Sequence, residues 1–178
     1  MNIQQILKYY RLADEVDHPS YGTEDSACFD LYTYFKPNDN IIIYSAWQED
    51  NPKNNRSVNS DGVFNIEPGE RALVPTGIIF DIPRGYSVRL FARSSVALKR
   101  GLMLVNSVGV IDSDYVEPVF AAVVNVANES RVIVSHERLC QAELVENCPT
   151  EIFETEEKPK QKTDRDGGFG STGVSYWM

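Results

Sequence analysis

From Leu73 to Val145 the chain is a succession of short runs in which apolar side chains recur at every second residue. Ile78, Phe80 and Ile82 alternate with Ile79 and Asp81 inside the stretch Leu73–Pro83. Tyr86, Val88, Leu90 and Ala92 alternate with Ser87, Arg89 and Phe91, and Phe120–Asn128 and Leu139–Val145 continue the pattern. A period of two sends successive side chains to opposite faces of a strand. Runs this short, cut by Pro-Gly, Arg-Gly and Asn-Glu-Ser punctuation, predict an all-β antiparallel sandwich or barrel. The 178 residues suffice for one domain with a real core, and not comfortably for two.

One short helix is expected, over Ser95–Arg100, with Ser94 as its N-cap and Gly101 as its stop. Such a cap also aims free N–H groups outward, where an anion could sit. In residues 3–12, Ile3, Ile6, Leu7 and Tyr10 suit a helix stripe, yet the segment is short and rich in β-formers. Residues 36–62 hold six asparagines and one strand-like run, Ile41–Tyr44, and read as a long surface loop or excursion hairpin. Residues 149–166 carry six acids and four bases with almost nothing apolar after Phe153, the composition of a solvated linker. The expected organisation is a domain over 1–148, a flexible linker over 149–166 and a glycine-rich tail over 167–178.

Charge narrows the function. The formal net charge is −9 and the pI about 4.7, against broad electrostatic binding to nucleic acid or acidic membranes. Cys28, Cys140 and Cys148 are odd in number with no CxxC spacing, which fits a reducing cytosol and neither a disulfide framework nor a zinc site. Met1–Leu12 has no apolar run suited to a signal peptide, and nothing approaches the roughly 18 apolar residues of a spanning helix. The expectation is a cytoplasmic protein. His18 and His136 are expected in surface or loop roles, far from the motifs that follow.

Those motifs point to a bound nucleotide. Gly167-Gly168-Phe169-Gly170-Ser171-Thr172-Gly173 combines backbone donors, an aromatic ring and two hydroxyls, able to wrap phosphates and lay a ring on a base. A glycine-rich terminus is ordinarily a floppy end, but a floppy end has no need of Phe169. Arg93-Ser94-Ser95 offers a forked cation and further donors, although a surface arginine beside a capping serine is the bland reading. Asp112-Ser113-Asp114-Tyr115 is a turn whose carboxylate could activate water. Gln141 faces away from Cys140, Ala142 and Leu144. No Gly-x-x-x-x-Gly-Lys-Ser/Thr run occurs, so Walker-type chemistry is not expected. An acidic chain that binds a polyanion needs a local cation cluster and a divalent metal.

In order along the chain, these segments resemble the five motifs of the trimeric deoxyuridine triphosphatase (dUTP pyrophosphatase) family. They are Ala27-Cys28-Phe29-Asp30-Leu31, Ala92-Arg93-Ser94-Ser95-Val96-Ala97, Asn106 to Tyr115, Glu137-Arg138-Leu139-Cys140-Gln141, and Gly167 to Gly173. The resemblance implies a homotrimer of dUTPase-like barrels, or jelly-roll sandwiches, with the C-terminal tail exchanged between subunits. It implies Mg²⁺-assisted hydrolysis of dUTP to dUMP and pyrophosphate, with Asp112 activating the attacking water. Tyr115 would pack under the deoxyribose, and Asn106 with the backbone of the 106–112 hairpin, including Gly109, Val110 and Ile111, would read the uracil edge. Arg93, Ser94, Ser95 and Gln141 would hold phosphates, and Asp30 would position Mg²⁺ through waters. Phe169 would stack on uracil while Arg165, Gly170, Ser171 and Thr172 close over the triphosphate.

The sequence departs from the family pattern at Cys28 for glycine, Ala92 and Ser95 for proline and glycine, and Glu117-Pro118 for a glycine. Arg165 stands one residue closer to Phe169 than is usual. The nearest rival, the dCTP deaminase family, shares the fold and an Arg-Ser-Ser helix, here followed by Gly101-Leu102-Met103. Its glutamate would fall at about Ala122, and no acid lies between Glu117 and Glu129. A third reading is a non-catalytic β-sandwich module whose 36–62 segment binds a protein partner.

Overall fold

The computed structural model describes residues 5–45 and 53–163. Two compact units divide the chain, Met1–Cys148 and Pro149–Met178, and the first holds every strand and the helix found among the described residues. In chain order these are β1 (Lys8–Arg11), β2 (Ser20–Tyr21), β3 (Phe29–Tyr32), β4 (Asn40–Tyr44), β5 (Lys53–Ser57), β6 (Val63–Ile66), β7 (Arg71–Pro75), β8 (Ile78–Asp81), β9 (Tyr86–Ala92), α1 (Ser94–Arg100), β10 (Leu102–Leu104), β11 (Val108–Ile111), β12 (Phe120–Asn125), β13 (Arg131–Val134) and β14 (Arg138–Glu146). Two five-stranded antiparallel sheets, ordered β10-β12-β7-β4-β5 and β11-β9-β14-β3-β2, form the body, with the pairs β1-β8 and β13-β6 beside them. Their inner faces feed one core: Ile41, Ile43, Val74 and Val123 from the first, and Leu31, Val88, Leu90 and Ala142 from the second. Each such side chain contributes about 1.5–3 kcal/mol when fully buried. The all-β architecture with one short helix is the one the alternation predicts.

Several local expectations are corrected. The run Leu73–Pro83 is two strands, because Gly77 breaks it. Its φ is +70, and a Cβ there would fall 2.7 Å from a methyl of Val16. β7 therefore stays between β4 and β12, while β8 turns away to pair with β1. That pairing makes Lys8–Arg11 a strand and overrides the helix stripe of residues 3–12.

Residues 36–62 are more than a surface excursion. β4 pairs with β7 in the main sheet, and Ile41, Ile43 and Val58 are buried; β5, its partner in the hairpin, is the edge strand of that sheet. β5 reads Lys-Asn-Asn-Arg-Ser, the polar and charged composition that keeps an edge strand from recruiting other strands.

The helix starts one residue earlier than expected. Arg93 is the N-cap, with no side-chain capping bond, and Gly101 closes the other end in the left-handed region. Ser94 is thus inside the first turn, and its hydroxyl is not used as a cap. The described part of the second unit, residues 149–163, contains no helix or strand and is exposed throughout.

Candidate active site

A cavity of about 300 Å³ opens beside β11, at the lower end of the size range of small-molecule pockets. Asn106, Gly109, Val110, Ile111, Asp112 and Tyr115 line it, and all six were expected at a nucleotide site. Leu73, Leu90, Leu104, Val119, Phe120 and Ala122 complete the wall. Leu73, Leu90, Phe120 and Ala122 were expected only as strand residues and Leu104 and Val119 not at all, and nothing local to them announced a pocket.

The segment 106–112 is not a hairpin in the hydrogen-bonded sense. β10 pairs with β12 and β11 with β9, so the chain crosses from one sheet to the other between them. Ser107 makes the crossing in the left-handed region, φ 60. Its N–H donates to the Leu104 carbonyl at 3.1 Å, and the Val108 N–H to that of Asn106 at 2.6 Å. Gly109 lies against Leu90: a Cβ there would sit 3.2 Å from the Leu90 Cβ and 3.4 Å from the Asn106 amide nitrogen. Glycine therefore lets Asn106 and the core strand approach each other across the pocket floor.

Asp112 is exposed and is the one carboxylate in the lining. A turn follows it, closed by the Tyr115 N–H on the Asp112 carbonyl at 3.1 Å. The Tyr115 hydroxyl donates to the Pro118 carbonyl at 3.0 Å, fixing the ring at the rim. Ala122, where a deaminase would need its acid, is part of the apolar wall.

The phosphate candidates are assembled elsewhere and do not line this cavity. Asp30, 8% exposed, stands in register with Gln141 on β14 and Ser20 on β2. Its carboxylate accepts from Arg93 Nε at 2.8 Å and from Arg138 Nη1 at 3.2 Å. Arg93 Nη1 also donates to the Arg138 carbonyl at 3.1 Å. Ser94 and Ser95 follow on the exposed side of α1. Arg138 was quoted in the motif but given no role, although an arginine three residues before Gln141 on a strand was a readable signal.

Cys28 is half-buried near the same carboxylate. Burial first, then the charges of Glu143 and Asp30, raise its thiol pKa, so a neutral side chain occupies the position where a glycine was expected. His136 is not far from the motifs as expected. It directly precedes Glu137 and is tied to Asp17 by Nδ1 at 2.7 Å. Arg165, Phe169, Gly170, Ser171 and Thr172 lie outside the described residues.

Among the described residues no group of three His, Cys, Asp or Glu side chains could hold a metal. Both oxygens of Asp30 are already engaged by arginines. That donor set fits a hydrated Mg²⁺ carried by phosphate oxygens and reached through water, and does not fit a protein cage.

The fold and these two clusters define a class of protein: a β-sandwich with a nucleoside-sized pocket, an exposed carboxylate at its rim and a separate arginine-serine cluster. Residues 58–173 match the dUTPase family model. A deoxyuridine 5'-triphosphate nucleotidohydrolase of Nautilia profundicola is 35% identical over 168 residues, covering 94% of this chain and 98% of the relative. One from Finegoldia magna is 44% identical over 109 residues, 61% of this chain and 75% of the relative. The crystal structure of dUTPase from Streptococcus mutans superposes with a TM-score of 0.61 at 26% identity, covering 80% of this chain and 98% of that one. Staphylococcus bacteriophage 80alpha dUTPase, solved with dUPNHPP, has the same fold, with a TM-score of 0.72 at 20% identity over 96% of this chain and all of that one. The chain belongs to the dUTPase family.

Proposed function

We propose that the chain is a dUTP diphosphatase, converting dUTP and water to dUMP and pyrophosphate. The observation that carries this reading is the convergence of Asn106, Gly109, Asp112 and Tyr115 on one cavity. Asn106 and adjacent backbone read the uracil edge, and Tyr115 packs against the deoxyribose, where a 2′-hydroxyl would meet the ring or remain unpaired. A site built on hydrogen bonds to a base edge discriminates more strongly than apolar fit alone. Asp112 takes the proton of the attacking water, and the exposed position of its carboxylate supports that role. Arg93, Ser94, Ser95 and Gln141 hold the phosphates. Asp30 would help hold Mg²⁺ through water, and the ion would supply neutralisation of phosphate charge. From the tail, Phe169 covers the base while Arg165, Gly170, Ser171 and Thr172 enclose the triphosphate, excluding water from a reaction whose charge they stabilise.

The working assembly is a homotrimer with exchanged tails. Membership of the dUTPase family and the exposed stretch 149–163, free of helix and strand, that leads to the tail support this reading. In the cytoplasm the reaction would keep uracil out of DNA and supply dUMP for thymidylate synthesis, and within 36–62 it is the edge strand β5 that a protein partner would meet. Incubation with dUTP, dCTP and UTP plus Mg²⁺, followed by product analysis, tests the reading. Production of dUMP and pyrophosphate from dUTP alone is the expected result; dUTP formed from dCTP, or no turnover, would overturn it. Ala122 in the cavity wall argues against deamination.

A further inference from the structure

Helix α1 is tied at both ends to the start of β14. At its first end Arg93 grips Asp30 and the Arg138 carbonyl. At its last, Arg100 Nη1 lies 3.2 Å from each carboxylate oxygen of Glu137, and Nη2 donates to the Val132 carbonyl. Arg131 Nε donates to the carbonyl of Arg100 at 2.7 Å. Glu137 is itself fixed, its N–H on Thr33 Oγ1 at 3.2 Å and its carbonyl accepting from the Thr33 N–H at 2.9 Å. Thr33 is 1% exposed and lies three residues beyond Asp30. His136, left-handed at φ 66, donates its N–H to the Thr33 carbonyl at 2.8 Å and turns the chain so that Glu137 and Arg138 serve opposite ends of the helix.

Seven residues are too few to hold a helix by themselves, and Val96 is the one buried residue of α1. The direction of its first turn, which carries Ser94 and Ser95, is therefore set by these ties. We propose that the Arg100–Glu137 pair is a positioning device for phosphate binding, fixing the tilt of α1 and so the aim of Ser94, Ser95 and Arg93 at the triphosphate. The proposal rests on the dUTP reading. Neither residue lines the nucleoside cavity, so the pair acts on the phosphates alone. A purely stabilising role is the competing explanation, and physics counts against it: the pair is only part-buried, and replacing such an ion pair by apolar side chains often costs little net stability. Burial is the largest influence on Glu137 and raises its pKa against the pull of Arg100. The pair's contribution is to geometry.

The test uses the full-length protein and the double variant Arg100→Met/Glu137→Met, which removes both charges and so leaves no unpaired charge. Melting temperature, affinity for a non-hydrolysable dUTP analogue, affinity for deoxyuridine, and KM and kcat for dUTP are measured. The expected result is a melting temperature and deoxyuridine affinity near wild type, with analogue affinity and kcat/KM lower by about 10- to 100-fold, the scale of a misplacement near 1 Å. Wild-type affinity for the analogue together with wild-type turnover in a folded double variant overturns the proposal, as does an equal loss of analogue and deoxyuridine binding. If the double variant does not fold, Glu137→Gln decides by the same split. A wild-type protein that does not cleave dUTP overturns the functional reading instead.

Discussion

The nucleoside cavity and the Arg93–Asp30 cluster, within one sandwich, are built in opposite ways. The cavity is apolar and nearly charge-free, and its polar groups are backbone, one amide, one carboxylate and one phenol, carried on a chain crossing between sheets. The cluster is charged throughout, two guanidiniums held by one carboxylate. Asp30 cancels half of the positive charge that a triphosphate would meet, so its role cannot be attraction. It holds Arg93 and Arg138 in one orientation before any ligand arrives, which removes an ordering cost from binding. In a chain of net charge −9, aim matters more than field. Under the proposed reading the cavity recognises by hydrogen bonds to a base edge and the cluster by pre-set direction, and the two should fail separately when mutated.

The largest effect should come from the cavity side. Asp112→Asn keeps the shape of the rim and removes the carboxylate proposed to take water's proton, so kcat should fall by about 10²–10⁴-fold. Melting temperature and affinity for deoxyuridine should stay near wild type. Turnover within a few-fold of wild type would show that the water is activated elsewhere. On the cluster side, Arg93→Leu removes a charge-assisted contact to phosphate of about 1.5–3 kcal/mol, roughly 10- to 150-fold in analogue affinity. It also leaves the buried Asp30 with Arg138 alone, so the melting temperature should drop as well. Deoxyuridine binding is the control that keeps the two regions apart, and a matching loss there would erase the distinction drawn between them.

Gly109→Ala probes the cavity floor with a smaller change. The added methyl meets Leu90 at 3.2 Å and the Asn106 amide at 3.4 Å, an overpacking of about 1–3 kcal/mol. If Asn106 yields rather than Leu90, deoxyuridine affinity should fall about 10-fold while stability changes little, as calorimetry and a thermal melt would show. A large stability loss with intact deoxyuridine binding would mean that Leu90 gives way and that Asn106 keeps its place.

How much of this was legible in the sequence follows from the range over which each signal acts. Alternation in Tyr86–Ala92 and Leu139–Val145 gave the β architecture, because the pleat is a local property, and the order of the motifs located Asp30, Arg93, Asp112 and Gln141. Turn chemistry marked Asp112 through Tyr115 and the resemblance to the family motifs added Asn106 through Ile111, and the fold brings Asn106, Gly109, Val110, Ile111, Asp112 and Tyr115 to one cavity. What sequence did not show was pairing. Ile41 and Ile43 were masked by surrounding asparagines, and only the contact with β7 makes β4 a core strand. Gly77 looks like any turn glycine until Val16 is seen 2.7 Å from its missing Cβ. Leu73, Phe120 and Ala122 become pocket wall only when β7 and β12 lie side by side. The link from Arg100 to Glu137 spans 37 residues, and no local pattern reports it.

The smallest expected effect is a slope in stability against pH, and it belongs to the cluster side. Glu137 has its pKa raised chiefly by burial, with Arg100 opposing. A carboxyl that binds its proton more tightly folded than unfolded makes the native state carry the extra proton, so stability falls as pH rises. The fall begins at the ordinary carboxylate range and ends above the raised folded value; below that window the contribution is fully present. Glu137→Gln removes it, so urea unfolding from roughly pH 4 to pH 7 should show the variant gaining on wild type as pH rises. If instead wild type gains on the variant over that window, the Arg100 attraction outweighs desolvation. The pair would then be a stabilising ion pair like those on protein surfaces, and the separation between a cluster that aims and a cluster that attracts would have to be given up.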